Sequence, residues 1–257
     1  MISNTTASSS LEAEFKISQI QLEYAEKSPQ NILRLVLAQF NRLPIFFSGA
    51  EDVVLIDMAS KITQNFRVFV VDTGRLHCET YELIEKVRKH YQIEVQILLP
   101  DPQKIQELVT KKGLFSFYED GHQECCAIRK VEPLRRQLEH LDVWITGQRH
   151  DQNPVTRGEL PIVQIDKTFS TEKRNLIKFN PLAAWNSDLV WKYIRYHNVP
   201  YNKLHDRGFM SIGCQPCTKA ILPNQHERDG RWWWEKTKLK ESGIHAENLS
   251  NAQHKKH

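Results

Sequence analysis

Five cysteines punctuate the 257-residue chain, and four of them fall in two close pairs. Cys125 and Cys126 are adjacent, while Cys214 and Cys217 frame the segment Gly213-Cys214-Gln215-Pro216-Cys217. Adjacent cysteines rarely bond to one another, because the peptide between them must distort. A four-thiolate metal site is the economical reading, and both zinc and a 4Fe-4S cluster accept four thiolates. Structural zinc ordinarily uses two separated C-x-x-C knuckles, and a Cys-Cys dipeptide makes a poor one, so the pattern leans toward iron and sulfur. Two other readings stay open: four unrelated buried thiols, and a redox disulfide between Cys214 and Cys217. Cys78, in Leu76-His77-Cys78-Glu79, has no partner in the sequence and reads as a small core residue.

Basic residues gather near these cysteines. Arg129 and Lys130 follow the first pair, and Arg228 and Arg231 flank Asp229-Gly230. Guanidinium groups bind oxyanions bidentately, so Lys130, Arg228 and Arg231 suit a phosphate or sulfate; Arg135 and Arg136 read as ordinary surface. Of the run Trp232-Trp233-Trp234, at least one indole belongs in a core, since three consecutive residues cannot share one helix face.

These groups must be held by a scaffold. Short apolar runs at 44–48, 67–71, 94–99 and 142–146 predict buried strands, with helical patterns such as DVVLIDMASKI and TYELIEKVRKHY between them. Apolar spacing in LEAEFKISQIQLEYAEK and QNILRLVLAQF predicts two helices ahead of the first strand. Alternation of strand and helix implies an α/β fold, a parallel sheet with helices on both faces. Ligands of such sheets sit beyond the carboxyl ends of the strands. The loops there read Ser48-Gly49-Ala50-Glu51-Asp52, then Asp72-Thr73-Gly74, then Gly147-Gln148-Arg149 with Asp151 and Arg157 following. Small residues ahead of a helix let backbone N–H groups approach an anion, although Ser48 to Asp52 also suits an ordinary helix cap.

Composition narrows the class. A mean hydropathy of −0.53 and 40% hydrophobic residues fit a globular domain. No apolar run approaches the roughly 20 residues that cross a bilayer, and MISNTTASSS lacks the pattern of a secretory leader, so the cytoplasm is expected. A net charge of +4 is too mild to demand nucleic acid but suits a small polyanion. One domain over 15–240 is expected, between a disordered stretch, 1–14, and a mobile segment, 241–257.

Together these residues resemble one family, the assimilatory adenylyl-sulfate (APS) reductases of the iron–sulfur type. The resemblance spans about residues 20–245 and rests on SGAEDVVL (48–55), VDTG (71–74), ECCAIRKVEPLRR (124–136), GQRHDQNPVTR (147–157), GCQPCT (213–218) and ERDGRWWWE (227–235). The paired cysteines are its most specific part, because sister enzymes acting on 3′-phosphoadenylyl sulfate usually lack them. The loop at 48–53 looks like a variant of the S-G-G-x-D-S pyrophosphate loop, with Ala50 at the second glycine and Val53 at the final serine. The resemblance implies an adenine nucleotide alpha hydrolase-like (PP-loop) fold. It implies that Cys125, Cys126, Cys214 and Cys217 hold a 4Fe-4S cluster whose role is electrostatic and structural. Ser48 to Asp52, Asp72, Thr73, Gly74, Arg149 and Arg157 are expected to line the substrate pocket, with Lys130, Arg228 and Arg231 facing phosphate and sulfate. Thioredoxin is the implied reductant, AMP and sulfite the products, and a homo-oligomer the expected assembly.

The chain departs from the family at one position. The nucleophilic cysteine normally sits in Glu-Cys-Gly-x-His, and this chain reads Glu241-Ser242-Gly243-Ile244-His245. A hydroxyl ionises far less than a thiol, and a serine sulfate ester offers no sulfur–sulfur bond for thiol exchange. The chain as written is therefore expected to bind substrate without turning it over. His245 is a candidate phosphate ligand or orienter of the nucleophile. The rival readings are a 3′-phosphoadenylyl-sulfate reductase, a PP-loop ATP pyrophosphatase carrying a metal site, and a non-catalytic four-cysteine zinc protein that binds a nucleotide.

Overall fold

The computed structural model describes residues 5–236 together with 241, 243 and 244, with 5–13 by backbone alone. Helices α1 (Thr5–Tyr24) and α2 (Pro29–Phe40) open the chain. α1 begins inside the stretch expected to be disordered, because adding residues to an existing helix costs far less than nucleating one. Its Ile20 enters the main core, and Gln21 Oε1 accepts the Val163 N–H at 3.3 Å.

The four anticipated strands form: β1 (Leu43–Phe46), β2 (Phe66–Val71), β3 (Val95–Leu98) and β4 (Val143–Ile145). Between them lie α3 (Ala50–Ser60), α4 (Cys78–Tyr91) and α5 (Pro102–Lys112). One further helical run joins α6 (Gln123–Cys126), a π-helical turn (Ala127–Val131) and α7 (Glu132–Leu138). After β4 come α8 (Pro154–Arg157), β5 (Val163–Ile165), β6 (Ile177–Phe179) and α9 (Ser187–His197). The six strands run in the order β3-β2-β1-β4-β6-β5. All pairings are parallel except β5 with β6, which is antiparallel. The two short strands escaped the sequence reading because IKF carries a lysine at its centre, where an apolar residue would have signalled a strand. Lys178 is nonetheless fully buried, over the Trp144 ring at 5.2 Å.

Alternate residues of each central strand feed opposite layers. Ile45, Val68, Val70 and Ile145 meet residues of α2, α3, α4 and α9, while Phe46, Phe69, Val71 and Trp144 meet α7. Helices therefore cover both faces, as the alternation of strand and helix implied. Cys78 departs from expectation: it is exposed at the first residue of α4, a position beyond the face that Leu83, Ile84 and Val87 bury.

Trp144 centres the second layer, with its ring 6.0 Å from Phe46 and 5.9 Å from Phe169, and its indole N–H donating to Asp166 Oδ2 at 3.1 Å. Trp144→Ala is expected to destabilise the fold by about 3–5 kcal/mol, measured by equilibrium urea unfolding.

Candidate active site

The chain leaves β1, builds β2 and β3 on one side, then crosses back to lay β4 on the other. A crevice opens at such a reversal, beyond the carboxyl ends of the strands. One buried carboxylate ties its two walls together. Asp52 Oδ2 accepts the backbone N–H groups of Ser48 and Gly49, both at 2.8 Å, and the Ser48 hydroxyl at 3.0 Å. Its Oδ1 accepts the Gly147 N–H, past the end of β4, at 2.7 Å. Burial, the leading influence, outweighs these donors and pushes the Asp52 carboxyl up to about 6. The approach is so close that a Cβ on Gly147 would lie 2.6 Å from Glu51 Cβ. Only glycine fits there.

The cleft between these walls is lined by Ser48 to Asp52, Val70, Val71, Thr73, Gly147 and Gln148, and by four cations, Lys130, Arg157, Arg228 and Arg231. The start of α3 directs its dipole and first amides here, an arrangement that favours an anion. Three expected pocket residues take supporting places instead. Arg149 turns its guanidinium to Glu51 (2.8 Å), Glu227 (3.1 Å) and Asp151, bracing the loop from behind. Burial works to raise the Glu51 carboxyl, but Arg149 prevails and holds it below its ordinary value; burial pushes Glu227 up to about 7. Asp72 Oδ1 accepts the Gly74 N–H and the Tyr81 hydroxyl, both at 2.8 Å, closing a turn that places Gly74 at φ +69°. That turn orients Thr73, whose side chain does reach the cleft.

Cys125, Cys126, Cys214 and Cys217 carry free thiols and line one cavity with Phe117, His122, Arg75, Arg129 and Lys130. Two consecutive helical residues project about 100° apart, and the π turn that follows widens the helix at Arg129 and Lys130, burying both. Arg129 donates to the Thr73 carbonyl at 2.7 Å, and Thr73 Oγ1 lies 3.2 Å from Cys214 Sγ. The Cys217 thiol, followed by Lys130, Thr73 and Arg231, holds Cys214 well below the ordinary thiol value despite burial. Burial pushes Cys126 up to about 11. Among the described residues no three metal-ligating side chains converge on a single ion. Four thiols line that one cavity, edged by three cations, a donor set of the kind that thiolate-ligated metal groups use. Lys130 and Cys214 line both this cavity and the cleft.

Trp232 packs between the two sites, fully buried at φ +40°, while Trp233 is 46% exposed. Its ring stacks 4.1 Å from His122 and lies 4.6 Å from the Arg231 guanidinium. The segment expected to be mobile is docked where it is described. Glu241 pairs with Arg157 and Arg228, and Ile244 is buried against the second core layer. Ser242 and His245 lie outside the described residues.

Sequence reasoning missed several neighbours of the site. His122 precedes the cysteine pair but contacts residues more than a hundred positions away, and no local pattern marks it. Gln148 is 5% exposed in the cleft, and neither its amide oxygen nor its nitrogen finds a partner among the described residues, leaving both N–H groups and the oxygen for a ligand. Its place after β4 was the available signal.

The fold and the site define an α/β protein of the PP-loop kind, with four cysteines around one cavity beside a cation-lined cleft. A solved phosphoadenylyl-sulfate reductase from Candida auris superposes with TM-score 0.65 at 30% identity, covering 80% of this chain and 96% of that one. An FMN adenylyltransferase from Candida glabrata, 15% identical, shares the fold with TM-score 0.51 over 94% of this chain and 90% of its own. An adenosine 5′-phosphosulfate reductase of Pseudomonas aeruginosa (strain LESB58) is 55% identical over 91% of this chain and 88% of its own length. The chloroplastic 5′-adenylylsulfate reductase 3 of Arabidopsis thaliana is 54% identical over 86% of this chain, which spans 49% of that longer protein. Residues 42–220 match the phosphoadenosine phosphosulfate reductase domain. The chain belongs to that family, as one of its adenosine 5′-phosphosulfate reductases.

Asp52→Asn leaves at least one backbone N–H of the loop facing an amide donor, at a cost of about 1–3 kcal/mol. The native carboxyl has a folded-state pKa above its unfolded value near 4, so its contribution to stability is full at low pH and lost as pH rises through about 6. Urea unfolding at pH 4.5 and pH 7 should show the variant's deficit narrowing at the higher pH; a deficit that widens contradicts the assignment.

Proposed function

We propose that the cleft binds adenylyl sulfate, its phosphate toward the start of α3 and its sulfate toward Lys130 and Arg231, and that position 242 is the seat of the attacking group. The reading is carried by the shared wall: Lys130 and Cys214 face the anion cleft on one side and the four-cysteine cavity on the other. Cys125, Cys126, Cys214 and Cys217 would hold a 4Fe-4S cluster, which supplies an electrostatic and structural element beside the substrate.

The chemistry is a transfer between sulfurs. A cysteine thiolate attacks the sulfuryl sulfur, the S–O bond to the nucleotide breaks, and AMP departs as a good leaving group without a strong general acid. The product is an S-sulfocysteine. A thioredoxin thiolate then attacks the cysteine sulfur and expels sulfite; its second thiol resolves the mixed disulfide. Two thiols surrender two electrons, and the sulfuryl sulfur gains them. An anionic nucleophile approaching an anionic group needs fixed positive charge around it, which Lys130 and Arg231 provide from a buried wall. Lys130 keeps its proton there: burial disfavours the charge, but its cysteine neighbours, Cys214 foremost, more than compensate.

Serine at 242 stops this sequence at binding. Adenylyl sulfate and reduced thioredoxin should yield sulfite on the order of a thousandfold or more faster with Ser242→Cys than with the chain as written, as expected when a nucleophile is restored. Equal rates would overturn the assignment. Anaerobic purification should give brown protein with about four irons and four sulfides per chain. A colourless protein with one zinc would favour the zinc alternative.

A further inference from the structure

The four cations of the cleft divide into two pairs. Lys130 lines the shared wall, and Arg231 lies against Gly213, where a Cβ would come 2.5 Å from its guanidinium. Neither forms an ion pair with a carboxylate among the described residues. The other pair is engaged. Arg157 grips both carboxylate oxygens of Glu241, with Nε 2.9 Å from Oε1 and Nη2 2.7 Å from Oε2. Arg228 Nη2 adds a contact at 3.2 Å and the Thr156 hydroxyl donates at 3.0 Å. The Glu241 side chain is 7% exposed in this seat.

The backbone is held as well. His122 Nε2 lies 3.0 Å from the Glu241 carbonyl, while its Nδ1 lies 2.7 Å from Glu235 and its ring stacks on Trp232. Beyond position 242, Gly243 packs so closely that a Cβ would lie 3.2 Å from Val131 Cγ2, and Ile244 is 6% exposed in the second core layer. Both neighbours of position 242 are thus anchored by independent contacts. We propose that Glu241 is a positioning residue, clamped by Arg157, Arg228 and Thr156, that fixes the chain on which position 242 acts; the inference rests on the reading of the cleft given above.

Energetics favour a seat over a chance contact. Neutralising the carboxylate takes from two buried guanidinium groups the counter-charge they share, which is the expensive way to break such a pair. Burial works to raise the Glu241 carboxyl, but Arg157 and Arg228 hold it below its ordinary value, so it stays charged at neutral pH. The substrate anion does not need this pair, because Lys130, Arg231 and the start of α3 remain for it. Holding a reacting group within about an ångström of its path is worth on the order of a hundredfold in rate.

Two measurements test this. Hydrogen–deuterium exchange of the C-terminal peptide beginning at residue 241, in the chain as it stands, should accelerate on the order of a hundredfold in Glu241→Gln and in Arg157→Gln. Unchanged exchange in both variants overturns the seat, whatever the enzyme does. In the Ser242→Cys background, Glu241→Gln should lower kcat about a hundredfold with KM for adenylyl sulfate and affinity for AMP changed less than about threefold. Glu241→Asp should recover part of the loss. Tighter binding of adenylyl sulfate in Glu241→Gln overturns the proposal, because Glu241 would then be a competitor of the substrate. Absence of sulfite from Ser242→Cys itself would count against the proposed function, and the exchange measurement would still decide the seat.

Discussion

Asp52 gathers three backbone N–H groups and a hydroxyl that belong to two different loops, one after β1 and one after β4. Those loops flank the reversal of strand order, where a parallel sheet cannot close its own edge contacts and a crevice is left. A carboxylate at this point substitutes for the sheet ladder that ends just below it. It fixes the width of the cleft, turns the first residues of α3 toward its floor, and requires glycine at position 147, where no side chain has room. The burial that makes the tie rigid also lifts the Asp52 carboxyl. The rest of the site is measured from this crossing.

Charge is distributed by the same rule throughout: a buried charge keeps its partner or meets a ligand. Arg149 answers three carboxylates and so braces the loop without entering the cleft. Arg157 and Arg228 answer Glu241. Lys130 and Arg231 pair with no carboxylate among the described residues; the cysteines beyond the wall favour the charge of both, although burial still holds Arg231 below its ordinary value. Positive charge on that wall of the cleft is thereby coupled to the four cysteines. Trp232, held at φ +40° between His122 and Arg231, is the packing element that keeps the two chambers in register.

The C-terminal segment completes this arrangement from outside the sheet. Its Glu241 is caught by cations that α8 and the 227–231 loop supply, its carbonyl by a histidine ahead of the cysteine pair, and its Ile244 by the layer around Trp144. Four separate parts of the chain thus converge on Glu241 and Ile244. Glu241 is thus held by charge at the cleft and Ile244 by the second core layer.

Local chemistry was legible in the amino-acid sequence alone. The four central strands and the helices between them follow from periodicity, which is a property of neighbours in the chain. The glycine-containing loops, the cysteine pairs and the cations beside them follow from residue type and short spacing. What depends on pairing across the chain was not legible. β6 hides a buried lysine whose neutralising surroundings come from other elements, Cys78 faces outward because its helix turns its apolar side elsewhere, and Arg149 and Arg157 were read alike although one braces and the other clamps. A guanidinium has the same sequence signature whether it meets a carboxylate or a substrate; only the distances in the folded chain choose between them. The sequence determined which groups are present and which strand or loop carries each, since those depend on local propensity. The tertiary structure decided which charges remain for a ligand, because that balance is set by partners up to about a hundred residues apart.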